Sequence, residues 1–288
     1  MSLAEQIGAA TCEAFVLTRR SPVRGGDINE AELWLGRDGR RFFVKLNRAD
    51  RLAMFEAEAD GLIEIVSTGA IRAPRPVCSG IDGDRAFLVL EYLKLDGRGD
   101  AAELGRRLAS LHRHTQPQFG WRRANTIGAT LQPNDWLADW LVFLKEKRLG
   151  YQLELARQRG AAARLIEQGE RLLTRLGFFF QGYAPVPSLL HGDLWGGNYG
   201  FANGEPVLFD PAVYYGDREA DLAMTELFGG FPEAFYAAYR EAWPLDPGYE
   251  TRKIVYNLYH ILNHFNLFGG GYAVQAERMI GSLLARAG

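Results

Sequence analysis

HGDLWGGN, residues 191–198, follows an apolar run and is succeeded, a short distance along the chain, by FDPAVYYGDREAD, residues 209–221. Between them, NYGFAN and PVLFDP, joined by GE, predict a β-hairpin. Taken alone, Asp193 and Asp210 each fit an ordinary turn beside glycines or the end of a strand. The order of loop, hairpin and second aspartate, in contrast, is an arrangement that a phosphoryl-transfer site requires. The combination therefore favours a functional pair of carboxylates.

Phosphoryl transfer needs a carboxylate that orients the acceptor hydroxyl and metal ions that bridge the phosphates. Asp193 and Asn198 are five positions apart, as are the aspartate and asparagine of the kinase loop HRDxxxxN. This spacing predicts that Asp193 accepts the substrate proton and that Asn198 binds Mg²⁺. Asp210 is expected to hold the metal that bridges the phosphates of ATP, although FDP stands where kinases have DFG.

The N-terminal part offers an independent test of this interpretation. A kinase needs a lysine on its third strand, which contacts the nucleotide phosphates, and a glutamate on the next helix, which holds that lysine. FFVKL places Lys45 on the third of three strand-like runs, and FEAEADGL places Glu58 on the helix expected next. Glu56 is a competitor, but it projects about 160° away from Glu58, so only one of them can face the sheet. A surface lysine with a surface carboxylate is the alternative.

Two further segments are candidates for nucleotide contacts. Gly25 and Gly26 lie where a loop would cover the phosphates, although the GxGxxG pattern is missing. LVLEYL, residues 88–93, predicts a buried strand that leads into the crossover between lobes. There, backbone groups of Glu91, Tyr92 and Leu93 are the expected adenine contacts. A buried strand with a plain domain crossover describes the segment equally well.

The hydrophobic patterns predict an α+β protein with two lobes. Residues 1–93 read as a five-stranded antiparallel sheet carrying one helix, and residues 94–288 read as mostly helical. A chain of 288 residues with 47% hydrophobic residues is long enough to bury a core in each lobe.

Composition excludes several classes of protein. The net charge of -2, with 33 basic and 35 acidic residues intermixed, argues against a nucleic-acid partner. Cys12 and Cys78 form no disulfide framework, which favours a reducing compartment. No apolar stretch approaches the roughly 20 residues that span a bilayer, and the N-terminus lacks the pattern of a signal peptide. We therefore expect a cytoplasmic protein without a membrane partner; the sequence does not indicate its oligomeric state.

Four segments resemble the fructosamine kinase (ketosamine kinase) family of the protein-kinase-like superfamily, which includes the aminoglycoside phosphotransferases. They are HGDLWGGN, FDPAVYYGDREADLAMTELFGGF, NTIGATLQPNDWLADWLVFLKEKRL and NLYHILNHFNLFG, and the resemblance extends from about Glu5 to the C-terminal helices. It implies a protein-kinase-like fold, with Asp193 as catalytic base, Asn198 and Asp210 as magnesium ligands, and an ion pair between Lys45 and Glu58. It also implies ATP-dependent phosphorylation of a ketosamine sugar hydroxyl. The unstable product then releases its amine, which links the family to protein deglycation and repair.

On the substrate side, the resemblance implies that Trp195 offers an aromatic face to the acceptor sugar; a core tryptophan that braces the loop is the alternative. Asp217 and His264 are weaker candidates for substrate contacts. His260 and His264 have a spacing that can bind zinc, but Ile261 stands where the HExxH pattern needs glutamate. Asp221 is expected to hold the catalytic loop through backbone N–H groups without contacting substrate.

Two alternative functions remain open at this point. A kinase for an aminoglycoside or amino alcohol would share the chemistry, but it would be expected to line its acceptor site with acidic groups. A nucleotide-binding pseudokinase is disfavoured, because a pseudokinase usually lacks one of the groups that a kinase needs. All five are present here: Lys45, Glu58, Asp193, Asn198 and Asp210. The near-neutral charge fits an acceptor that is recognised by its sugar.

Overall fold

The computed structural model describes residues 1–23 and 28–288, so Gly25 and Gly26 lie outside the described residues. The chain folds into two compact units. The first unit comprises Met1–Asp100 and Tyr199–Pro211, and the second comprises Ala101–Asn198 and Ala212–Gly288.

The first unit contains a five-stranded antiparallel sheet with the strand order β1-β2-β3-β5-β4. The strands are β1 (Leu17–Val23), β2 (Glu30–Gly36), β3 (Arg41–Arg48), β4 (Pro76–Asp82) and β5 (Arg85–Glu91). Helix α2 (Leu52–Ser67) follows a single 3₁₀ turn after β3 and buries Phe55, Leu62 and Ile65 on one face. The predicted sheet, with a helix after its third strand, is confirmed.

A shorter helix, α1 (Leu3–Thr11), adds to the predicted elements of this unit. Ser2 and Glu5 form a capping box at its start, which satisfies backbone N–H groups that the first turn leaves unpaired. Leu3 and Ile7 are buried in the core on one face of the sheet.

The hairpin between the two motifs, β9 (Tyr199–Ala202) and β10 (Glu205–Leu208), forms as predicted. The sequence analysis divided the two lobes between residues 93 and 94, and so placed this hairpin in the helical lobe. In the structure the hairpin belongs to the first unit, where the Leu208 N–H donates to the Arg72 carbonyl oxygen at 2.9 Å.

The second unit is mostly helical, as predicted. Its helices are α3 (Ala101–His112), α4 (Trp140–Phe143), α5 (Gly150–Gln158), α6 (Ala163–Leu173), α7 (Glu219–Leu227), α8 (Glu233–Ala242), α9 (Tyr249–Phe268) and α10 (Tyr272–Ala287). A π-helical segment, Leu144–Leu149, joins α4 to α5, and a 3₁₀ helix spans Leu176–Phe180. The longest helix, α9, is buried along most of its length and packs against α7 and α10. Among the described residues, no helix is long and apolar enough to cross a bilayer.

Four short strands of the second unit position its loops. Strands β6 (Asn125–Ile127) and β7 (Thr130–Gln132) form one antiparallel pair, and β8 (Ser188–Leu190) pairs with β11 (Tyr214–Gly216). The sequence did not predict them, because three residues are too few to show an alternating pattern. β8 leads directly into the HGDLWGGN loop.

Candidate active site

Lys45 lies at the centre of an ion-pair cluster in the first unit. Its neighbours on β3, Val44 and Leu46, enter the core on one face, so Lys45 points to the other face, towards α2. Its Nζ lies 2.6 Å from Glu58 Oε1 and 2.6 Å from Asp210 Oδ1. The predicted pair of Lys45 and Glu58 is therefore present, and Asp210 is its third member.

Burial and charge act in opposite directions on this cluster. The side chain of Lys45 is only 7% exposed. Burial alone would lower the pKa of Lys45, but the negative charges of Asp210 and Glu58 outweigh it, so the pKa lies above that of an ordinary lysine. Burial raises the pKa of Glu58, against the effect of Lys45. Lys45 is thus a cation at neutral pH, held at a fixed position.

The backbone of Asp210 adopts an unfavourable conformation. Its φ of 57° lies in the left-handed region, which costs a non-glycine residue on the order of 1–3 kcal/mol. Proline follows it in the chain. The side chain of Asp210 nevertheless stays 45% exposed while one oxygen contacts Lys45. A strained residue that presents a half-exposed carboxylate beside a fixed cation is typical of a functional position.

In the second unit, Asp193 and Asn198 occupy the two ends of one loop. Asn198 Nδ2 donates to the carbonyl oxygen of Asp193 at 2.8 Å and contacts its Oδ2 at 3.3 Å. The Asn198 N–H donates to the carbonyl oxygen of Trp195 at 2.9 Å, which closes the turn. The five-residue spacing thus brings the two side chains into direct contact, and it directs the amide nitrogen of Asn198 towards Asp193.

Asp221, at the start of α7, binds the backbone at the start of this loop. It is buried, and it accepts the N–H groups of His191 (2.7 Å) and Gly192 (2.8 Å). His112 Nε2 lies 3.1 Å from the same carboxylate. Burial alone would raise the pKa of Asp221, but the hydrogen bond with His112 and nearby charges outweigh it, so the pKa lies below the usual aspartate value. The predicted role of Asp221 as a loop anchor is confirmed.

Gly192 is required by close packing as well as by its backbone conformation. Its φ is 83°, and a Cβ at this position would lie 2.1 Å from the carbonyl oxygen of Ala212. The Ala212 N–H donates to the carbonyl oxygen of His191 at 2.8 Å. Only glycine allows the two backbones to approach this closely immediately before Asp193.

Trp195 is a surface residue of the loop. It is 40% exposed, and its ring covers Gly197, where a Cβ would lie 2.4 Å from the indole. The alternative interpretation, a core tryptophan that braces the loop, does not fit this exposure. An accessible aromatic face on the HGDLWGGN loop suits contact with the C–H face of a sugar.

Asn198 and Asp210 each have the chemistry of a magnesium ligand. Amide and carboxylate oxygens are the donors that hard cations prefer. Across the described part of the chain, nothing donates a hydrogen bond to Asn198 Oδ1. The same part holds no cluster of three or more His, Cys, Asp or Glu residues that could bind a metal by itself. Each residue therefore fits a metal ion whose coordination is completed by nucleotide phosphates and water.

The three predicted adenine contacts lie at the end of β5: Glu91 is its last residue, and Tyr92 and Leu93 follow. The carboxylate of Glu91 is engaged by Arg72 at 2.7 Å and by the Arg75 N–H at 3.3 Å. The Arg41 guanidinium lies 5.9 Å from the ring centre of Tyr92. Leu93 is half-buried. The side chains of Glu91 and Tyr92 thus have structural contacts, and the backbone of this segment remains the proposed contact for a nucleotide base.

The structure does not support the remaining substrate candidates. Asp217 is 1% exposed, and it accepts hydrogen bonds from the hydroxyls of Tyr183 and Tyr256 and from the Glu219 N–H. Its oxygens are therefore committed inside the second unit, which corrects the suggestion that it contacts substrate.

His264 lies on α9 among aromatic rings. Its ring centre is 4.9 Å from that of Phe228 and 5.1 Å from that of Tyr272, and Nδ1 lies 2.8 Å from the carbonyl oxygen of His260. Burial lowers the pKa of His264. These contacts describe a packed neutral histidine, and none of them joins it to Asp193.

Two residues of the site escaped the sequence analysis. His112, at the end of α3, reaches Asp221 across 109 positions of the chain, and no local pattern signals such a contact. Gly192 could have been identified from the sequence, because a glycine between two polar residues of a motif often marks a close backbone approach.

Comparison with known proteins places this site in a family. Residues 1–286 match a model of the family described as fructosamine kinase. The chain belongs to the fructosamine kinase family. The resemblance predicted from the motifs, the protein-kinase-like α+β fold and the assignment as a phosphotransferase acting on ketosamines are therefore confirmed. Membership implies ATP as phosphoryl donor, with a divalent metal ion.

Relatives in this family align with almost the whole chain. A Synechocystis protein named probable ketoamine kinase is 49% identical over 97% of this chain and 95% of its own length. The chloroplastic protein-ribulosamine 3-kinase of Arabidopsis thaliana is 44% identical over 94% of this chain and 84% of its own. A solved structure from Haemophilus somnus 129PT, assigned provisionally to fructosamine-3-kinase, has a TM-score of 0.90 and 29% identity, covering 98% of this chain and 97% of that one.

Proposed function

We propose that this protein transfers the γ-phosphoryl group of ATP to a sugar hydroxyl of a fructosamine or ribulosamine, with Asp193 as the catalytic base. The observation that carries the proposal is the position of Lys45, held at 2.6 Å by both Glu58 and Asp210. A kinase needs these three groups to hold the phosphates of its nucleotide.

Lys45 is the proposed phosphate contact, and Asn198 and Asp210 are the proposed magnesium ligands. Their oxygen donors match the preference of Mg²⁺, which takes one or two protein ligands together with phosphates and water. When bound, the metal ion neutralises charge on the phosphates. Lys45 can exchange its contact with Asp210 for a phosphate oxygen while Glu58 keeps it in place. Gly25 and Gly26, together with the backbone of residues 91–93, remain proposed nucleotide contacts.

Asp193 acts on the acceptor. As the substrate hydroxyl oxygen bonds to the γ-phosphorus, its proton passes to the Asp193 carboxylate. The bond between the γ-phosphorus and the bridging oxygen of ADP breaks, and ADP leaves with the electron pair. Asn198 orients Asp193 through the hydrogen bond to its backbone carbonyl and the contact with Oδ2. Trp195 packs against the sugar ring and brings the hydroxyl to the base.

The acceptor class follows from the family and from the exposed tryptophan. Relatives include a protein named ribulosamine 3-kinase, and we extend this activity to ketosamines of free or protein-bound amines. Breakdown of the phosphorylated product would release the amine, which makes deglycation the proposed biological role. Both cysteines are free, as expected in a reducing compartment, and we propose the cytoplasm as the site of action.

An ATP-consumption assay over four acceptors tests this function. The panel is fructosyl-lysine, ribulosyl-lysine, kanamycin and choline, each with and without Mg²⁺. We expect turnover with at least one ketosamine, only with the metal, and none with kanamycin or choline. Turnover of kanamycin or choline alone would replace the proposal with an antibiotic or amino-alcohol kinase. Tight binding of magnesium ATP without turnover of any acceptor would indicate a pseudokinase.

A further inference from the structure

Two segments that characterise the family have no part in the chemistry described so far. NTIGATLQPN forms the hairpin of β6 and β7, and NLYHILNH lies within α9. In the structure the hairpin binds Ala212 and Val213, and Tyr259 of α9 donates to Gln132 of the hairpin. Ala212 and Val213 lie beside the start of the catalytic loop, within the second unit.

Three buried amide side chains of the hairpin form what we call the amide clasp: Asn125, Gln132 and Asn134. Gln132 Nε2 donates to the carbonyl oxygen of Ala212 at 3.1 Å and to Asn125 Oδ1 at 2.8 Å. Asn125 Nδ2 donates to the carbonyl oxygen of Val213 at 2.8 Å. The clasp therefore binds two consecutive backbone carbonyls.

The orientation of each amide is fixed by a group behind it. Gln132 Oε1 accepts the hydroxyl of Tyr259 on α9 at 2.7 Å, so its nitrogen must face Ala212. Asn134 Nδ2 donates to Asn125 Oδ1 at 2.9 Å, while its own oxygen accepts Arg148 Nη2 at 2.7 Å. A rotated amide would place two donors or two acceptors against each other in a buried site. The clasp thus has a single arrangement.

The bound carbonyl is also the group that contacts the catalytic loop. A Cβ at Gly192 would lie 2.1 Å from Ala212 O, the oxygen to which Gln132 donates. The Ala212 N–H donates to the carbonyl oxygen of His191. Ala212 is therefore held between Gln132 on one side and residues 191–192 on the other. A shift of its carbonyl would move the backbone that leads into Asp193.

We propose that Gln132 is a positioning residue for the kinase reaction: through the carbonyl of Ala212 it fixes the backbone of Gly192 and hence the placement of Asp193. Asn125 supports it by holding Val213. The inference rests on the proposed function, in which Asp193 is the base. Gln132 contacts neither reactant, and its effect passes through Ala212.

Gln132→Met and Gln132→Glu test the inference. Methionine has a similar volume and no donor, and glutamate keeps the acceptor for Tyr259 but turns an oxygen towards Ala212. Because a misplacement of about 1 Å can cost ~10²-fold in rate, we expect kcat to fall about 10- to 100-fold in both. KM for ATP should change by less than about threefold. Hydrogen exchange of the amides at residues 191–193 should become faster, a readout that needs no activity.

Thr225→Val is the matched control. Thr225 is 2% exposed and donates to the carbonyl oxygen of Leu222 at 2.6 Å, but in the described structure it has no hydrogen bond with residues 191–193, with residues 212–213 or with the amide clasp. Thr225→Val should lower Tm comparably and leave kcat and exchange at 191–193 near the wild-type values. Turnover of a ketosamine by the wild type upholds the proposed function whatever the variants do. Equal kcat and equal exchange in Gln132→Met and Thr225→Val would overturn the inference.

Discussion

Asp193 and Asp210 are the same residue type, yet their surroundings differ, and we propose different tasks for them. Asp193 contacts Asn198 within its own loop, whereas Asp210 contacts Lys45 and adopts a strained backbone. A carboxylate paired with a fixed cation suits charge binding, and one in an open loop beside an exposed aromatic ring suits proton transfer. This difference predicts separable effects of mutation.

Asp193→Asn should remove the base and keep the loop. The asparagine side chain has the same shape, but it cannot accept the substrate proton. We expect kcat to fall by ~10² or more, the scale of a lost general base, with magnesium-ATP affinity within about threefold of the wild type. Steady-state kinetics and isothermal titration measure the two quantities. A variant that kept most of its kcat would mean that another group accepts the proton.

Asp210→Ala should weaken binding of the metal nucleotide. It removes the proposed metal ligand, which is also one of the two carboxylates around Lys45. We expect magnesium-ATP affinity to fall by about tenfold or more, since charge-assisted contacts of this kind contribute on the order of 1.5–3 kcal/mol. ATP titrated without Mg²⁺ should show a much smaller loss. Equal nucleotide affinities in Asp210→Ala and Asp193→Asn would show that the two roles have been misassigned.

Site residues could be predicted from the sequence where their spacing within one motif, or their position on one strand, indicates their role. The spacing of Asp193 from Asn198 and the strand position of Lys45 were read directly from the sequence, and the structure brings Lys45 to Glu58 as expected. Asp217 was not predictable in this way. It lies in the same motif as Asp210, but its burial by tyrosines from other parts of the chain decides its role.

At the scale of elements, the catalytic loop is a short segment held by its neighbours. β8 precedes it, Asp221 on α7 binds its first two N–H groups, and Ala212 packs against Gly192. Hydrogen bonds to its backbone, together with the buried side chain of Leu194, thus fix this loop. The glycine that permits this packing should be sensitive to substitution.

Gly192→Ala and Gly196→Ala form a matched pair within one loop. At Gly192 the new Cβ would meet Ala212 O at 2.1 Å with φ at 83°, whereas no atom lies within 4 Å of a Cβ at Gly196. We expect Gly192→Ala to lower the free energy of unfolding by about 1–3 kcal/mol or more, from backbone strain and the clash. Gly196→Ala should stay within about 0.5 kcal/mol. Urea titration measures both, and equal losses would contradict the packing described for Gly192.

Long elements with a clear period were predicted, and short ones were missed. The strands β1 to β5 and the helices α2, α3, α4, α6 and α9 lie in segments whose pattern predicted them. The helices α5, α7, α8 and α10 were covered only by the general expectation of a mostly helical second part. β6, β7, β8 and β11 have three residues each, too few for a pattern. β8 and β11 pair although they are distant in the sequence, whereas β6 and β7 pair with each other across a short turn. The hairpin 199–208 belongs to the first unit, where Leu208 hydrogen-bonds to the distant residue Arg72, and no local pattern signals this contact.

At the scale of the whole molecule, each of the two units holds its own group of proposed site residues. The first unit holds the lysine, its glutamate and the proposed metal ligand Asp210, and the second holds the base with its anchor. The net charge of -2 leaves recognition of the acceptor to local contacts. A sugar that packs on Trp195, as we propose, fits this small net charge better than a polycation does.

The central claim is the transfer of phosphate to a ketosamine by Asp193, and product analysis tests it most directly. The wild type and Asp193→Asn are incubated with magnesium ATP and either fructosyl-lysine or ribulosyl-lysine, and the products are followed by mass spectrometry. For the wild type we predict a ketosamine that gains one phosphoryl group, ADP in equal amount, and free lysine as the product breaks down. Asp193→Asn should yield at most about a hundredth of this product in the same time. Absence of phosphorylated ketosamine with the wild type, or equal amounts from both proteins, would contradict the account.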